Sequence, residues 1–153
     1  TAYQMTSLLE GVVQRGTGKK LKKLNLDLAG KTGTTNKNTD TWFIGFTSKL
    51  VIGVYVGLDE PKPLGRFETG AKTAMPIFKQ FVKDAIKKKD ARPFKVANNI
   101  SMMVIEPLTG KRADFTSKKT IIEVFKKNNI NEDNVKNFDI NRRLKNNNIL
   151  RFY

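Results

Sequence analysis

The stretch LAGKTGTTNKNTDTWFIGFTSKLVIGVYVGLD, residues 28–59, decides the fold. Two runs inside it, TWFIGFT (41–47) and LVIGVYVGL (50–58), are rich in β-branched and aromatic residues and read as strands. Only Ser48 and Lys49 lie between them, so the pair forms a tight hairpin. Alternation puts Trp42, Ile44 and Phe46 on one face of the first strand. It puts Leu50, Ile52, Val54, Val56 and Leu58 on one face of the second. The opposite faces carry Phe43, Val51 and Tyr55, so both sides of the sheet are apolar and call for cover on both sides. Gly45, Gly53 and Gly57 suggest close approach by a covering element. Just upstream, residues 26–35 (LDLAGKTGTT) read as a further strand, and 36–40 as the turn that follows it.

Working outward, residues 3–15 read as a helix with Met5, Leu8, Leu9, Val12 and Val13 on one stripe, ended by Gly16 and Gly18. Residues 19–23 read as a polar, basic connection. Residues 59–70 read as a loop with two prolines and two glycines. Residues 73–89 read as an amphipathic helix, capped by Thr73, with Pro76 in its first turn and Ala74, Phe78, Phe81, Val82 and Ala85 on the buried stripe. Lys83 and Lys87 to Lys89 suit the negative end of its dipole. Beyond Arg92-Pro93 the texture changes. Residues 100–105 and 121–125 read as two paired strands around a turn at 108–112, and 126–148 as an Asn- and Lys-rich tail, mobile or marginally helical. The expected organisation is an α/β (α+β) domain over 1–92, in which a partial antiparallel sheet is flanked by helices. A small β extension over 93–127 and a low-complexity tail over 128–153 follow.

Composition narrows the chemistry. The 153 residues include no Cys and no His, which removes cysteine nucleophiles, Ser-His-Asp triads and most zinc sites. Catalysis would have to use Lys, carboxylates, hydroxyls or backbone dipoles. The net charge is +15 and uneven: residues 1–60 hold eight basic and five acidic residues, and residues 61–153 hold twenty-one and nine. Such a surface attracts polyanions, although charge runs are usually solvated faces. No run of apolar residues is long enough to span a membrane. The opening Thr1-Ala2-Tyr3, without an initiator Met, reads as the start of a piece of a longer chain.

The chemistry-bearing motif is Lys31-Thr32-Gly33-Thr34-Thr35 on an extended segment. Period-two alternation puts the Thr32 and Thr34 hydroxyls on one face, about 6–7 Å apart, where they can hold a carboxylate between them. Lys31 adds charge that favours an anion and can help a proton move. Gly33 lets a ligand backbone lie along the strand edge as an added strand. The Thr34 N–H can point at a carbonyl oxygen that gains charge during acyl transfer. Simple alternation does not bring Lys31 and Thr32 into one pocket.

With its surroundings, the motif resembles the end of a class A penicillin-binding protein. The residues that carry the resemblance are YQMTSLLEGVVQRGTG (3–18), LAGKTGTTN (28–36), DTWFIGFT (40–47), LVIGVYVGLD (50–59) and ETGAKTAMPIFKQF (68–81). It covers residues 1–127 and fades in the tail. It implies the C-terminal half of a transpeptidase domain with a β-lactamase-like fold. It further implies peptide cross-linking of the cell wall by acyl-Ser transfer, without metal or organic cofactor. Partners would be the D-Ala-D-Ala stem peptide and the β-lactams that mimic it, at the extracytoplasmic face of the bacterial cytoplasmic membrane, held by an upstream anchor. In that family Lys31 and Thr34 would be the catalytic positions, and Thr32, Gly33, Thr34 and Thr35 the substrate-binding ones. A glycosyltransferase domain would precede them.

One departure matters. Ser7, Ser48, Ser101 and Ser117 open SLLE, SKLV, SMMV and SKKT, so none begins S-x-x-K. T-x-x-K occurs at Thr17, Thr34 and Thr69, read as chance in a Lys-rich chain. The nucleophile is expected upstream, in a missing N-terminal part, and the chain alone is expected to be inactive. Gly30-Lys31-Thr32 is no P-loop, because position 25 is Asn rather than Gly. Trp42 and its aromatic neighbours read as core rather than as a base-stacking platform, so no specific nucleic-acid partner is expected. The alternative from a different class is a basic module that binds nucleic acid, anionic lipid or wall polymer.

Overall fold

The structure, a computed structural model, describes residues 1–87 and 92–129. The elements run α1 (Ala2–Arg15), a 3-10 helix (Lys19–Leu24), β1 (Ala29–Thr34), β2 (Thr41–Phe46), β3 (Val51–Val56), α2 (Ala74–Ala85), β4 (Ile100–Ile105), β5 (Ile121–Lys126) and a short 3-10 turn (Lys127–Asn129). They divide into two compact units. One spans Leu8–Lys95. The other joins Thr1–Ser7 to the described residues from Val96 onward.

The larger unit holds an antiparallel sheet of order β1-β2-β3, so β1 is an edge strand. The hairpin forms where the sequence places it: the Thr47 N–H donates to the Leu50 carbonyl at 2.9 Å, closing Ser48-Lys49. Thr47 Oγ1 accepts the N–H groups of Lys49 and Leu50, each at 3.2 Å, which holds the turn. β1 starts at Ala29, three residues later than its alternation suggests, because Asn25 takes a left-handed conformation (φ 53°) and ends the 3-10 helix. That helix corrects the reading of 19–23 as a mere polar connection: its lysines stay outside while Leu21 is fully buried.

The core consists of Val13, Leu21, Leu28, Phe43, Ala74, Met75, Phe78 and Val82. The Phe43 and Phe78 rings pack with centroids 4.7 Å apart, and each ring is worth about 1.5–3 kcal/mol in burial. Gly45 makes room for that pair, since a Cβ there would lie 2.6 Å from the Phe78 ring. Close approach thus explains Gly45, whereas Gly53 would meet only Ile44, at 4.0 Å. The α2 stripe is Ala74, Met75, Phe78 and Val82, while Phe81 and Ala85 face outward. The helix ends at Ala85 with Ile86 extended, so residues 86 and 87 do not continue it, and Lys88 and Lys89 lie outside the described residues. Thr73 sits at the N-cap without making a side-chain cap. Its hydroxyl binds the Thr69 carbonyl and Thr41 Oγ1 instead.

Helical cover reaches one face of the sheet. On the other face the partners Trp42 and Tyr55, Ile44, and Val51 are between 44 and 70% exposed. Trp42 is therefore not core, which corrects the reading above: its ring leans on Tyr55 at 4.8 Å on the open face. The expectation of cover on both faces is met on the Phe43 side alone among the described residues.

In the smaller unit β4 and β5 pair antiparallel from Ile100↔Lys126 to Ile105↔Ile121, and the turn between them uses Gly110 at φ 68°. The tail expected to be mobile or marginally helical lies outside the described residues from 130 onward.

Candidate active site

The candidate site is the free edge of β1 in the larger unit. Its register against β2 pairs Lys31 with Ile44, Thr32 with Phe43, Gly33 with Trp42 and Thr34 with Thr41. The Thr35 N–H donates to the Asp40 carbonyl on the β2 side, at 3.0 Å. Successive amides of an extended strand point to opposite sides, so the Thr34 N–H and C=O face the free edge. At Thr34 that edge therefore offers one donor and one acceptor to a chain lying along it.

Alternation puts the Lys31 side chain on the opposite face from Thr32, yet the ammonium does not stay there. Its Nζ donates to the Thr32 carbonyl at 2.9 Å and approaches Thr32 Oγ1 at 3.5 Å. The Thr32 carbonyl shares the free-edge direction, so the flexible stem carries the charge around the edge. The ammonium and Thr32 are thereby brought together on the strand whose edge also carries the outward amide of Thr34.

Each hydroxyl of the motif has a distinct environment. Thr32 Oγ1 lies 3.5 Å from Thr17 Oγ1, in the Gly16-Thr17-Gly18 corner after α1. Thr34 Oγ1 accepts the Gly70 N–H at 3.1 Å. Thr35 Oγ1 belongs to the β1–β2 turn: it accepts the N–H groups of Thr39 and Asp40, each at 3.0 Å, and bonds Thr39 Oγ1 at 2.8 Å. Asp40 closes the network, accepting Tyr55 OH at 2.6 Å and Thr39 Oγ1 at 2.7 Å. These bonds, the Tyr55 one first, hold the Asp40 carboxyl below the usual carboxylate range, and the same partner raises the Tyr55 phenol.

Sequence reasoning left out two residues that the structure brings to the edge. Thr17 stands in a T-x-x-K that a Lys-rich chain yields by chance, and its two flanking glycines mark a corner able to approach a strand. Gly70 lay in a loop with no assigned role. Asn38, at φ 53°, ties that loop to the turn: its Nδ2 donates to the carbonyls of Gly65 and Arg66, each at 3.2 Å, and its carbonyl accepts the Leu64 N–H at 2.9 Å. Among the described residues no cluster of His, Cys, Asp and Glu is placed to hold a metal ion.

Comparisons with known proteins show the family of the chain. The family model described as "Penicillin binding protein transpeptidase domain" matches residues 1–83. Penicillin-binding protein 1A of Rickettsia conorii is 48% identical over 143 residues, covering 91% of this chain and 18% of that protein. Penicillin-binding protein 1A of Pseudomonas aeruginosa is 42% identical over 134 residues, covering 87% and 16%. The crystal structure of penicillin-binding protein 1A from Haemophilus influenzae superimposes with a TM-score of 0.69 at 32% identity, over 80% of this chain and 20% of that one. The chain thus spans less than a fifth of the length of the two curated relatives.

Proposed function

The chain belongs to the penicillin-binding protein transpeptidase family, and from that premise we propose that it supplies the substrate-holding strand edge of a peptidoglycan D,D-transpeptidase. The reading is carried by the contact of the Lys31 ammonium with the Thr32 carbonyl at 2.9 Å, on the edge strand that also holds the Thr34 hydroxyl and its outward N–H. A stem peptide ending in D-Ala-D-Ala lies along the edge as an added strand. Thr32 and Thr34 hold its terminal carboxylate, and Lys31 supplies positive charge beside it. The Thr34 N–H receives the carbonyl oxygen of the penultimate residue as charge develops there. Gly33 leaves the backbone bare, and Thr35 holds the end of the strand in place. A β-lactam carboxylate and ring carbonyl would take the same positions.

The reaction needs a serine oxygen to attack that carbonyl and expel the terminal D-Ala. The acyl group then passes to an amine of a second stem peptide and the serine is released. No serine of this chain stands in the S-x-x-K pattern, so the nucleophile and its lysine come from an N-terminal part of the domain. The same part would bring the membrane anchor and place the reaction on the outer face of the cytoplasmic membrane. Bifunctional relatives would add glycosyl transfer. No metal or organic cofactor enters this scheme.

Fluorescent penicillin tests it. The chain by itself stays unlabelled, as read by intact mass. A protein completed with the N-terminal part of the Rickettsia conorii relative becomes labelled. A stable adduct on the chain alone would contradict the missing-nucleophile argument. No labelling of a folded, completed protein would contradict the function.

A further inference from the structure

The geometry points to Gly70 as a positioning residue for the strand edge, acting through Thr34. The inference rests on the reading of Thr34 as a carboxylate-holding hydroxyl.

Gly70 is buried, and its φ lies outside the left-handed region, so conformational freedom does not explain a glycine there. Space does. A Cβ on Gly70 would collide with the Trp42 carbonyl oxygen and lie 2.7 Å from the carbonyl oxygen and 3.3 Å from the nitrogen of Gly33. Trp42 and Gly33 are register partners, so the strap carrying Gly70 lies flat on the backbone of the β1–β2 pair. Those neighbours are backbone atoms in a ladder and cannot swing aside as a side chain would.

The strap is fixed at its other end. The Gly70 carbonyl accepts the Met75 N–H at 2.8 Å, and the Thr69 carbonyl accepts the N–H groups of Lys72 and Thr73 at 2.8 and 3.0 Å. These bonds root it in the first turn of α2, which the Phe78–Phe43 contact fastens to the sheet. Helix, strap and strand edge are thus one continuous packed path.

The consequence falls on the Thr34 hydroxyl. A hydroxyl has one proton to donate and two lone pairs that accept. The Gly70 N–H fills a lone pair at 3.1 Å, leaving the proton for a ligand oxygen. An ionised carboxylate only accepts, so it fits a hydroxyl held as a donor. Thr32 has no backbone N–H of this kind among its described contacts: its neighbours are a Lys Nζ and a Thr hydroxyl, both at 3.5 Å. Gly70 therefore sets the direction of one of the two alcohols while touching no substrate.

Two measurements test this. In the 153-residue chain, amide hydrogen exchange at Gly70 is followed by NMR. Thr34→Val, which deletes the acceptor, accelerates exchange, and Thr34→Ser, which keeps it, does not. Unchanged exchange in Thr34→Val overturns the coupling, and this arm does not depend on whether a Gly70 variant folds. In the completed transpeptidase, acylation by fluorescent penicillin is compared for wild type, Gly70→Ala, Thr34→Val and the double variant. Gly70→Ala slows acylation by about ten- to a hundredfold, the scale of a small misplacement. The double variant is no slower than the slower single, because both changes act on one hydrogen bond. Multiplying losses, or Gly70→Ala at the wild-type rate while Thr34→Val is slow, overturn the positioning role and leave the carboxylate reading standing. Thr34→Val at the wild-type rate removes the carboxylate reading, and the positioning role with it.

Discussion

Tyr55 on β3 reaches past the end of β2 to donate its phenol to Asp40 Oδ1 at 2.6 Å, so the far strand of the sheet helps hold the turn that follows the KTGT motif. Asp40 in turn is bonded by Thr39, which bonds Thr35 at the end of the motif. The edge is supported from behind by a run of short polar contacts, as well as by its ladder.

Tyr55→Phe removes the largest cause of the depressed Asp40 pKa. The Asp40 carboxyl then titrates at higher pH, closer to an ordinary aspartate, as read by NMR of its carboxyl carbon. A depressed carboxylate gives stability that is present above its unfolded pKa and lost as pH falls through the folded value. Acid unfolding of Tyr55→Phe should therefore begin at higher pH than that of wild type.

Glu10 titrates in the opposite sense. Burial first, and then the nearby Asp27, push its carboxyl up to about 7. The unfolded glutamate loses its proton near pH ~4.3, so between there and about 7 the folded chain holds the extra proton. Stability from this group then falls as pH rises across that window and is level above it. Glu10→Gln flattens the slope and is the more stable protein at pH 8. The gain is on the order of 1 kcal/mol, because Glu10 is part-exposed and solvent screens its charge. Urea unfolding at several pH values reads both effects.

On the proposed reading, Thr34→Val in the completed transpeptidase loses a hydrogen bond to a charged group. Such bonds are worth about 1.5–3 kcal/mol, so penicillin acylation should slow by about tenfold or more. Stopped-flow acylation kinetics measure it, and an unchanged rate removes Thr34 from the site.

Phe78→Ala empties the centre of the core, where Phe78 is fully buried against Phe43. Loss of a buried aromatic costs about 3–5 kcal/mol, a large share of the stability of a small domain. Urea denaturation of the chain should show a markedly lower midpoint. Phe81→Ala, on the same helix but facing outward, should shift it far less.

Ile44→Lys and Val51→Lys lie on the open face of the sheet. Exposed apolar patches promote association, so both variants should lower the sedimentation-average mass at high concentration. Their unfolding free energy should stay within about 0.5 kcal/mol of wild type, as for surface substitutions.

Much of the fold was legible because it is locally encoded. Ser48-Lys49 between two β-branched runs admits little besides a hairpin, and the Ile100–Ile105 and Ile121–Lys126 strands pair as their residues suggest. Errors arose where neighbours decide. Leu21 looked like part of a basic connection because four lysines surround it, yet one apolar residue suffices to anchor a turn when a pocket awaits it. Phe81 and Trp42 carry the right residue types for a core, but a periodic stripe gives a face without saying what lies opposite.

The sequence by itself determined the family, the hairpin and the identity of Lys31, Thr32, Gly33 and Thr34, since alternation and motif are properties of adjacent residues. Only the tertiary structure decided that the Lys31 ammonium bends round to Thr32, that Thr17 comes within 3.5 Å of the Thr32 hydroxyl, and that the Gly70 N–H donates to Thr34. Gly70 and Thr34 stand 36 positions apart along the chain. Their contact exists because α2 packs on the sheet, and no local pattern encodes where a helix settles.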